Sequence, residues 1–136
     1  MLNRRRPSCG VLLIALISVG GCATTGERSD GASAAAIAFT DALRRGDARE
    51  ACSLLAPRTR MELAESEKAP CGQAMTKQHL PADGRVKETD VYGRQAMVTL
   101  TDDTLFLARF SSGWRVIAAG CLPRPGQPYQ CQVKGE

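Results

Sequence analysis

Six cysteines have the most reactive side chains in this 136-residue sequence. A cysteine thiol can accept a lipid, pair in a disulfide or bind zinc as a thiolate. Position along the chain separates these three uses. Two cysteines lie around a short apolar run near the start, Cys9 and Cys22, and four lie in the rest of the chain, Cys52, Cys71, Cys121 and Cys131.

Cys22 follows a pattern that is typical of an export signal. A positive segment, Arg4-Arg5-Arg6, precedes an apolar run over 11–17 and two small residues, Gly20-Gly21. A cysteine directly after such a pattern resembles the bacterial lipobox, which predicts cleavage between Gly21 and Cys22 and a diacylglyceryl group on the Cys22 thiol. An ordinary signal peptide and an uncut anchor are the alternatives, although about ten apolar residues fall short of the roughly 20 that span a bilayer.

The lipobox pattern divides the chain into three parts. Residues 1–21 are the predicted signal peptide, residues 22–33 the lipidated cysteine with a flexible tether, and residues 34–136 a single domain. Because two acyl chains hold a protein on a membrane stably, no transmembrane helix is needed. We expect the protein on the outer face of the cytoplasmic membrane, or on an outer membrane where the organism has one.

The four later cysteines are expected to pair, because even numbers of cysteines in exported domains usually form disulfides. Three connectivities are open, and proximity along the chain favours Cys52 with Cys71 and Cys121 with Cys131. A zinc site is the rival interpretation. No two cysteines have the Cys-x-x-Cys spacing and the one histidine, His79, is isolated, so no metal or cofactor is expected.

Charge and aromatic content argue against a nucleic-acid partner. The chain has 18 basic and 14 acidic residues, but three of its arginines belong to the predicted signal peptide. The mature chain would therefore carry 15 basic and 14 acidic residues, which is close to balance. The few aromatic residues also offer little surface for stacking bases.

Few side chains are candidates for catalysis or ligand binding. His79 is a candidate general base and Asp90 a candidate acid or base, with a solvated loop residue and a strand-end residue as the plainer interpretations. Trp114 is a candidate stacking platform, or a core aromatic residue. Arg109 and Arg115 would form an anion patch if both side chains lie on one face of a hairpin. The sequence shows no phosphate loop or nucleophile elbow.

Hydrophobic periodicity predicts helices first and strands afterwards. The expected helices cover 34–45, 48–55 after an Asp47 cap, 58–66 and a short turn within 72–79. The expected strands cover 85–91, 95–101, 104–110 and 114–119, with 111–113 as the last hairpin connection. The tail rich in proline and glycine, 123–128, is expected to end the sheet. This order predicts an α+β domain in which N-terminal helices pack on an antiparallel sheet of about four strands.

Two segments resemble the ketosteroid-isomerase-like, nuclear-transport-factor-like superfamily. They are Phe39-Thr40-Asp41-Ala42-Leu43-Arg44-Arg45-Gly46-Asp47, similar to its opening helix, and Phe110-Ser111-Ser112-Gly113-Trp114-Arg115-Val116, similar to its final hairpin. The resemblance covers about residues 34–120, and the whole plan is also similar to small actinobacterial lipoproteins. It implies a cystatin-like cone, a curved sheet wrapped around helices, often with a pocket between them.

The resemblance leaves the activity open, because the superfamily includes isomerases, dehydratases, cyclases and non-catalytic modules. Its enzymes usually place an aspartate or a His/Asp pair inside the cone, and no such set is visible here. We therefore expect a non-enzymatic binding or accessory module of the cell envelope. Its expected partners are the membrane through Cys22 and an envelope protein or a small apolar ligand. The alternative is a small-molecule pocket protein or a weak isomerase-like or dehydratase-like enzyme.

Overall fold

Helices precede strands in the computed structural model, which describes residues 24–135. The helices are α1 (Thr25–Arg44), α2 (Ala48–Leu54), α3 (Pro57–Glu67) and α4 (Cys71–Thr76). The strands are β1 (Val86–Tyr92), β2 (Gln95–Leu100), β3 (Thr104–Phe110), β4 (Gly113–Arg124) and β5 (Gln127–Lys134). This arrangement confirms the α+β prediction. The predicted signal peptide, with its cleavage site at Gly21, and the predicted lipidation site Cys22 lie outside the described residues.

The strands form one open antiparallel sheet in the order β1-β2-β3-β4-β5, and the helices pack against it. Alternation along β2 places Ala96, Val98 and Leu100 in the core, in the same cluster as the fully buried Phe39 of α1. Burying a side chain of this size contributes about 1.5–3 kcal/mol. Buried apolar side chains from helices and strands therefore fill the space between the two layers.

α1 begins nine residues earlier than expected, so the tether predicted over 22–33 is helical from Thr25 onward. The helix starts here because of a capping box. The Glu27 backbone N–H donates to Thr24 Oγ1 at 3.2 Å, and the Thr24 N–H donates to Glu27 Oε2 at 2.7 Å. Gly31, which suggested flexibility, is a packing residue, because a Cβ there would lie 3.0 Å from Cδ1 of Trp114.

The short helices α2, α3 and α4 follow the predicted boundaries closely. Asp47 caps α2 by accepting a hydrogen bond from the Glu50 N–H at 3.0 Å, and Pro57 opens α3. A disulfide joins Cys52 in α2 to Cys71 at the start of α4. The second disulfide joins Cys121 to Cys131, so the structure has the connectivity that sequence proximity favoured.

The prediction that 123–128 ends the sheet is wrong, and the sheet has five strands instead of about four. β4 continues to Arg124, and β5 returns through a two-residue turn at Pro125-Gly126, where Gly126 has a φ of +66°. β5 tolerates Pro128 because it is an edge strand. Within residues 24–135, the backbone groups along its outer edge have no neighbouring strand to pair with, so an N–H can be absent there. Cys121 and Cys131 are directly opposite each other in this hairpin.

The carboxylate of Asp103 closes a gap in the hydrogen bonding of β4. It accepts hydrogen bonds from the N–H groups of Thr104 at 2.7 Å, Gly120 at 3.0 Å and Cys121 at 3.0 Å. Gly120 has a φ of +64° and lies beyond the residues of β4 that pair with β3. At the point where β3 begins, the Asp103 carboxylate therefore accepts hydrogen bonds that the carbonyl groups of a paired strand would otherwise accept.

Asp103→Asn is expected to lower the free energy of unfolding by about 1–3 kcal/mol at neutral pH, because an NH₂ group replaces an acceptor oxygen that faces backbone donors. Burial raises the pKa of the Asp103 carboxyl above its ordinary value of 3.8, against the opposing effect of the three N–H donors. The native protein then holds this proton more tightly than the unfolded chain does. The stability from this group is greatest below pH 3.8 and falls as pH rises through the raised pKa.

Asparagine does not titrate, so the stability difference between the wild type and Asp103→Asn should widen as pH is lowered from neutral. Urea unfolding at a series of pH values measures this difference. Asp102→Asn is the matched control, because Asp102 is an exposed neighbour in the same turn. An equal loss of stability in both variants would contradict the role assigned to Asp103.

Candidate anion-binding site

A cleft of about 410 Å³ lies where the β1–β2 and β3–β4 turns meet the first turns of α1. Both turns are at the same end of the sheet, because successive strands run in opposite directions. We call this the arginine cleft, because three arginines line it. The complete lining is Arg28, Gly93, Arg94, Arg109, Phe110 and Ser111.

Turn geometry positions Arg94 at the mouth of the arginine cleft. Tyr92 pairs with Gln95, which leaves Gly93 and Arg94 as a two-residue hairpin loop. Gly93 has a φ of +60°, a conformation that the tight turns of hairpins require and that glycine adopts without strain. The Arg94 side chain is therefore carried on a short and rigid connection.

Two hydrogen bonds join Arg94 to Arg109 across the sheet end. The Arg109 N–H donates to the Arg94 carbonyl at 2.8 Å, and Arg94 Nη2 donates to the Arg109 carbonyl at 2.8 Å. The Arg109 side chain is exposed. One guanidinium is thus held in place while the other stays available to a ligand.

Arg28 brings α1 into the arginine cleft. Its Nη1 donates to the Gly93 carbonyl at 3.4 Å, and its Nε is buried without a hydrogen-bond partner. A buried donor without an acceptor costs about 1–3 kcal/mol, so such groups are rare in folded proteins. The Nε has almost no contact with solvent, so a ligand in the cleft would be attracted by the positive charge of the Arg28 guanidinium.

No carboxylate lines the arginine cleft, and none of its arginines forms an ion pair with another residue in the range 24–135. Ion pairs of the described chain lie elsewhere, as in Arg44–Asp41, Arg58–Glu62 and Lys77–Glu67. Like charges in a concave site raise the local potential and attract anions. Guanidinium groups also match the geometry of carboxylate and phosphate oxygens, with which they form paired hydrogen bonds.

The expected anion patch of Arg109 with Arg115 does not form. A three-residue connection would have placed Arg109 opposite Arg115, but the loop has two residues, so Arg109 pairs with Trp114 and Ala108 with Arg115. Consecutive pairs face opposite sides of a sheet. The Arg115 side chain instead donates to the Ser53 carbonyl at 2.9 Å.

The other candidates from the sequence lie outside the arginine cleft. Trp114 is part of the packing between β4 and α1, next to Gly31 and against the core. His79 is exposed in the segment after α4, and Asp90 is half-buried on β1 opposite Met97. Within the described chain, His, Cys, Asp and Glu side chains form no group of three that could hold a metal ion.

A second, smaller cleft of about 270 Å³ lies between the end of α1, α2 and α4. Its lining is mixed apolar and polar, with Leu43, Met75 and Leu80 beside Thr76 and Gln78, and without a charged side chain. Its volume is just below the roughly 300–1,000 Å³ of typical small-molecule pockets. It therefore offers weaker support for ligand binding than the arginine cleft does.

Sequence reasoning missed Arg28 and Arg94. Arg28 was hidden because its segment was expected to be a tether, although Thr24 and Glu27 carry the signature of a helix start. Arg94 could have been found from its place in a Gly-Arg turn between two predicted strands.

Comparisons with known protein families, curated proteins and solved structures find no match for this chain. Among residues 24–135, no helix is long and apolar enough to cross a membrane.

Arg28→Met is expected to leave the free energy of unfolding unchanged, or to raise it by up to about 1 kcal/mol, in buffer without multivalent anions. Methionine keeps the apolar stem and removes a buried donor that has no acceptor. Urea unfolding measures the change, with the exposed Arg60→Met on α3 as control. A loss above about 1 kcal/mol at position 28 alone would mean that Arg28 mainly stabilises the fold.

Proposed function

We propose that this chain is a non-enzymatic, lipid-anchored binding module of the cell envelope and that the arginine cleft is its ligand site. The observation that carries the proposal is the grouping of Arg28, Arg94 and Arg109 in one cleft whose lining contains no carboxylate. The ligand is an anion with phosphate or carboxylate oxygens, because these groups satisfy several guanidinium donors together.

The chemistry of the cleft supports binding over catalysis. Arginine stays protonated at all physiological pH values, so these side chains can hold and orient an anion but cannot take up a proton from it. The cleft lining includes the hydroxyl of Ser111 but no base that would activate it. His79 and Asp90, the candidate acid–base residues, are not among the lining residues.

The anchor and the location rest on the sequence of the first 22 residues. An arginine-rich start, a short apolar run and Gly20-Gly21 before Cys22 favour export and diacylglyceryl attachment at Cys22. The two disulfides support export, because disulfides persist in oxidising compartments outside the cytoplasm. The module would then sit on the outer face of the cytoplasmic membrane, or on an outer membrane if there is one.

We also propose that the domain is a member of the cone-fold superfamily that its sequence resembles. Helices on a five-stranded antiparallel sheet are compatible with such a cone. Register shifts in the β1–β2, β3–β4 and β4–β5 pairs support curvature, since bulges bend and twist the strands that contain them.

Intact mass of the protein from the membrane fraction tests the anchor. We expect the mass of residues 22–136 plus a diacylglyceryl group, and a gain of about four hydrogens when two disulfides are reduced. Cys22→Ser should release or mislocalise the protein and leave the domain folded, because the core cluster begins at Ala32. Tight membrane association of Cys22→Ser through the domain alone would contradict the anchor.

Phosphate titration followed by thermal unfolding tests the arginine cleft. A free phosphate concentration ten times the dissociation constant should stabilise the native state by about 1.4 kcal/mol. Arg28→Gln, Arg94→Gln and Arg109→Gln should each weaken binding by about tenfold or more, because each removes a charge-assisted donor. Arg60→Gln on α3 is the matched control and should leave binding unchanged. Equal phosphate stabilisation in all four variants would exclude the cleft as the binding site.

A further inference from the structure

The end of the domain that carries the arginine cleft is also the end nearest the proposed lipid anchor. Cys22 precedes Thr24, the N-cap of α1, by two residues, which span at most about 7 Å. Arg28 follows Thr24 by four residues, or about 6 Å along the helix axis. A lipid on Cys22 would therefore hold the Arg28 Cα within about 13 Å of the Cys22 Cα.

Two exposed aromatic side chains lie at this same end. Tyr92 precedes the β1–β2 turn and is 64% exposed, and Phe110 lines the arginine cleft and is 37% exposed. Aromatic rings beside arginines are typical of surfaces that settle at the boundary between headgroups and acyl chains. A soluble anion would require the arginines alone, whereas a membrane surface at this end would also contact these rings.

The acids at this end do not neutralise the cleft. Glu27 is used in the capping box, where its Oε2 accepts the Thr24 N–H, and Asp30 is exposed on the next turn of α1. Neither carboxylate lines the arginine cleft. An anionic surface would therefore meet three guanidinium groups that are not neutralised by a carboxylate in the cleft lining.

We propose that the arginine cleft binds the phosphate of an anionic phospholipid headgroup in the membrane that holds the Cys22 lipid, with Tyr92 and Phe110 at the headgroup boundary. This inference rests on the proposed anchor and the proposed anion site. It gives the domain a defined orientation: α1 begins at the membrane, and the β2–β3 and β4–β5 turns point away from it.

Oxidation of tyrosine side chains by hydroxyl radicals tests the orientation. The two tyrosines of the chain provide an internal comparison, because Tyr92 lies at the cleft end and Tyr129 lies on the edge strand β5. The lipidated protein is placed in vesicles of phosphatidylcholine alone and of phosphatidylcholine with increasing phosphatidylglycerol. We expect Tyr92 oxidation to fall as phosphatidylglycerol rises, while Tyr129 oxidation stays constant.

Arginine variants identify the source of that protection. Each arginine near an anionic membrane contributes about fivefold to association, so the Arg94→Gln/Arg109→Gln pair should weaken docking about 25-fold and remove Tyr92 protection at phosphatidylglycerol fractions that protect the wild type. Arg109→Gln alone should act about fivefold without loss of fold, since the Arg109 side chain donates no hydrogen bond within residues 24–135. Arg60→Gln is the control and should behave as the wild type.

Each outcome decides between the inference and the function on which it rests. Tyr92 protection that is equal in both lipids, or unchanged in Arg94→Gln/Arg109→Gln, would overturn headgroup binding. In either case, glycerol 1-phosphate is then titrated into the detergent-solubilised protein. If it binds the wild type and this binding is lost in Arg109→Gln, the anion site stands and its ligand is a free phosphate compound. If neither glycerol 1-phosphate nor phosphatidylglycerol responds to the variants, the anion site itself fails.

Discussion

Close packing of α1 on the sheet is the constraint on which the rest of the structure depends. A Cβ at position 31 would lie 3.0 Å from Cδ1 of the Trp114 ring, so glycine allows the helix to approach the sheet closely here. A hydrogen bond of 2.7 Å between the hydroxyls of Ser33 and Thr89 joins the helix to β1, and fully buried Phe39 extends the contact into the core. The same packing brings Arg28 to the β1–β2 turn, where its Nη1 donates to the Gly93 carbonyl.

Much of the fold follows from periodicity, because each helix and strand has a face that must be buried. The first four strands were predictable from alternation, and Asp47 and Pro57 marked the starts of α2 and α3. Proline and glycine misled the interpretation at both ends of the domain. Gly31 in a small polar segment is typical of a tether, and Pro128 is typical of a break in pairing. In the structure, glycine at 31 allows a close helix–sheet contact and an edge strand tolerates proline at 128.

The arginine cleft was less predictable than the fold because it depends on register. A loop shortened by one residue moves every side chain after it to the other face of the sheet. That single residue separates Arg109 from Arg115. The β2–β3 register, in which Gln95 pairs with Ala108, places Arg109 beside the β1–β2 turn. Arg28 and Arg94 join it from segments 66 residues apart in the chain, and no local pattern connects them.

The energetics of the three arginines point to a ligand more than to stability. The chain does place acids beside basic residues where only surface stability is at stake, as in Arg44 with Asp41 and Arg58 with Glu62. In the cleft, like charges approach one another without an acid, and the Arg28 Nε is buried without an acceptor. Both features raise the free energy of the empty native state. Under the proposed function, an anion in the cleft would lower this free energy by supplying the missing negative charge.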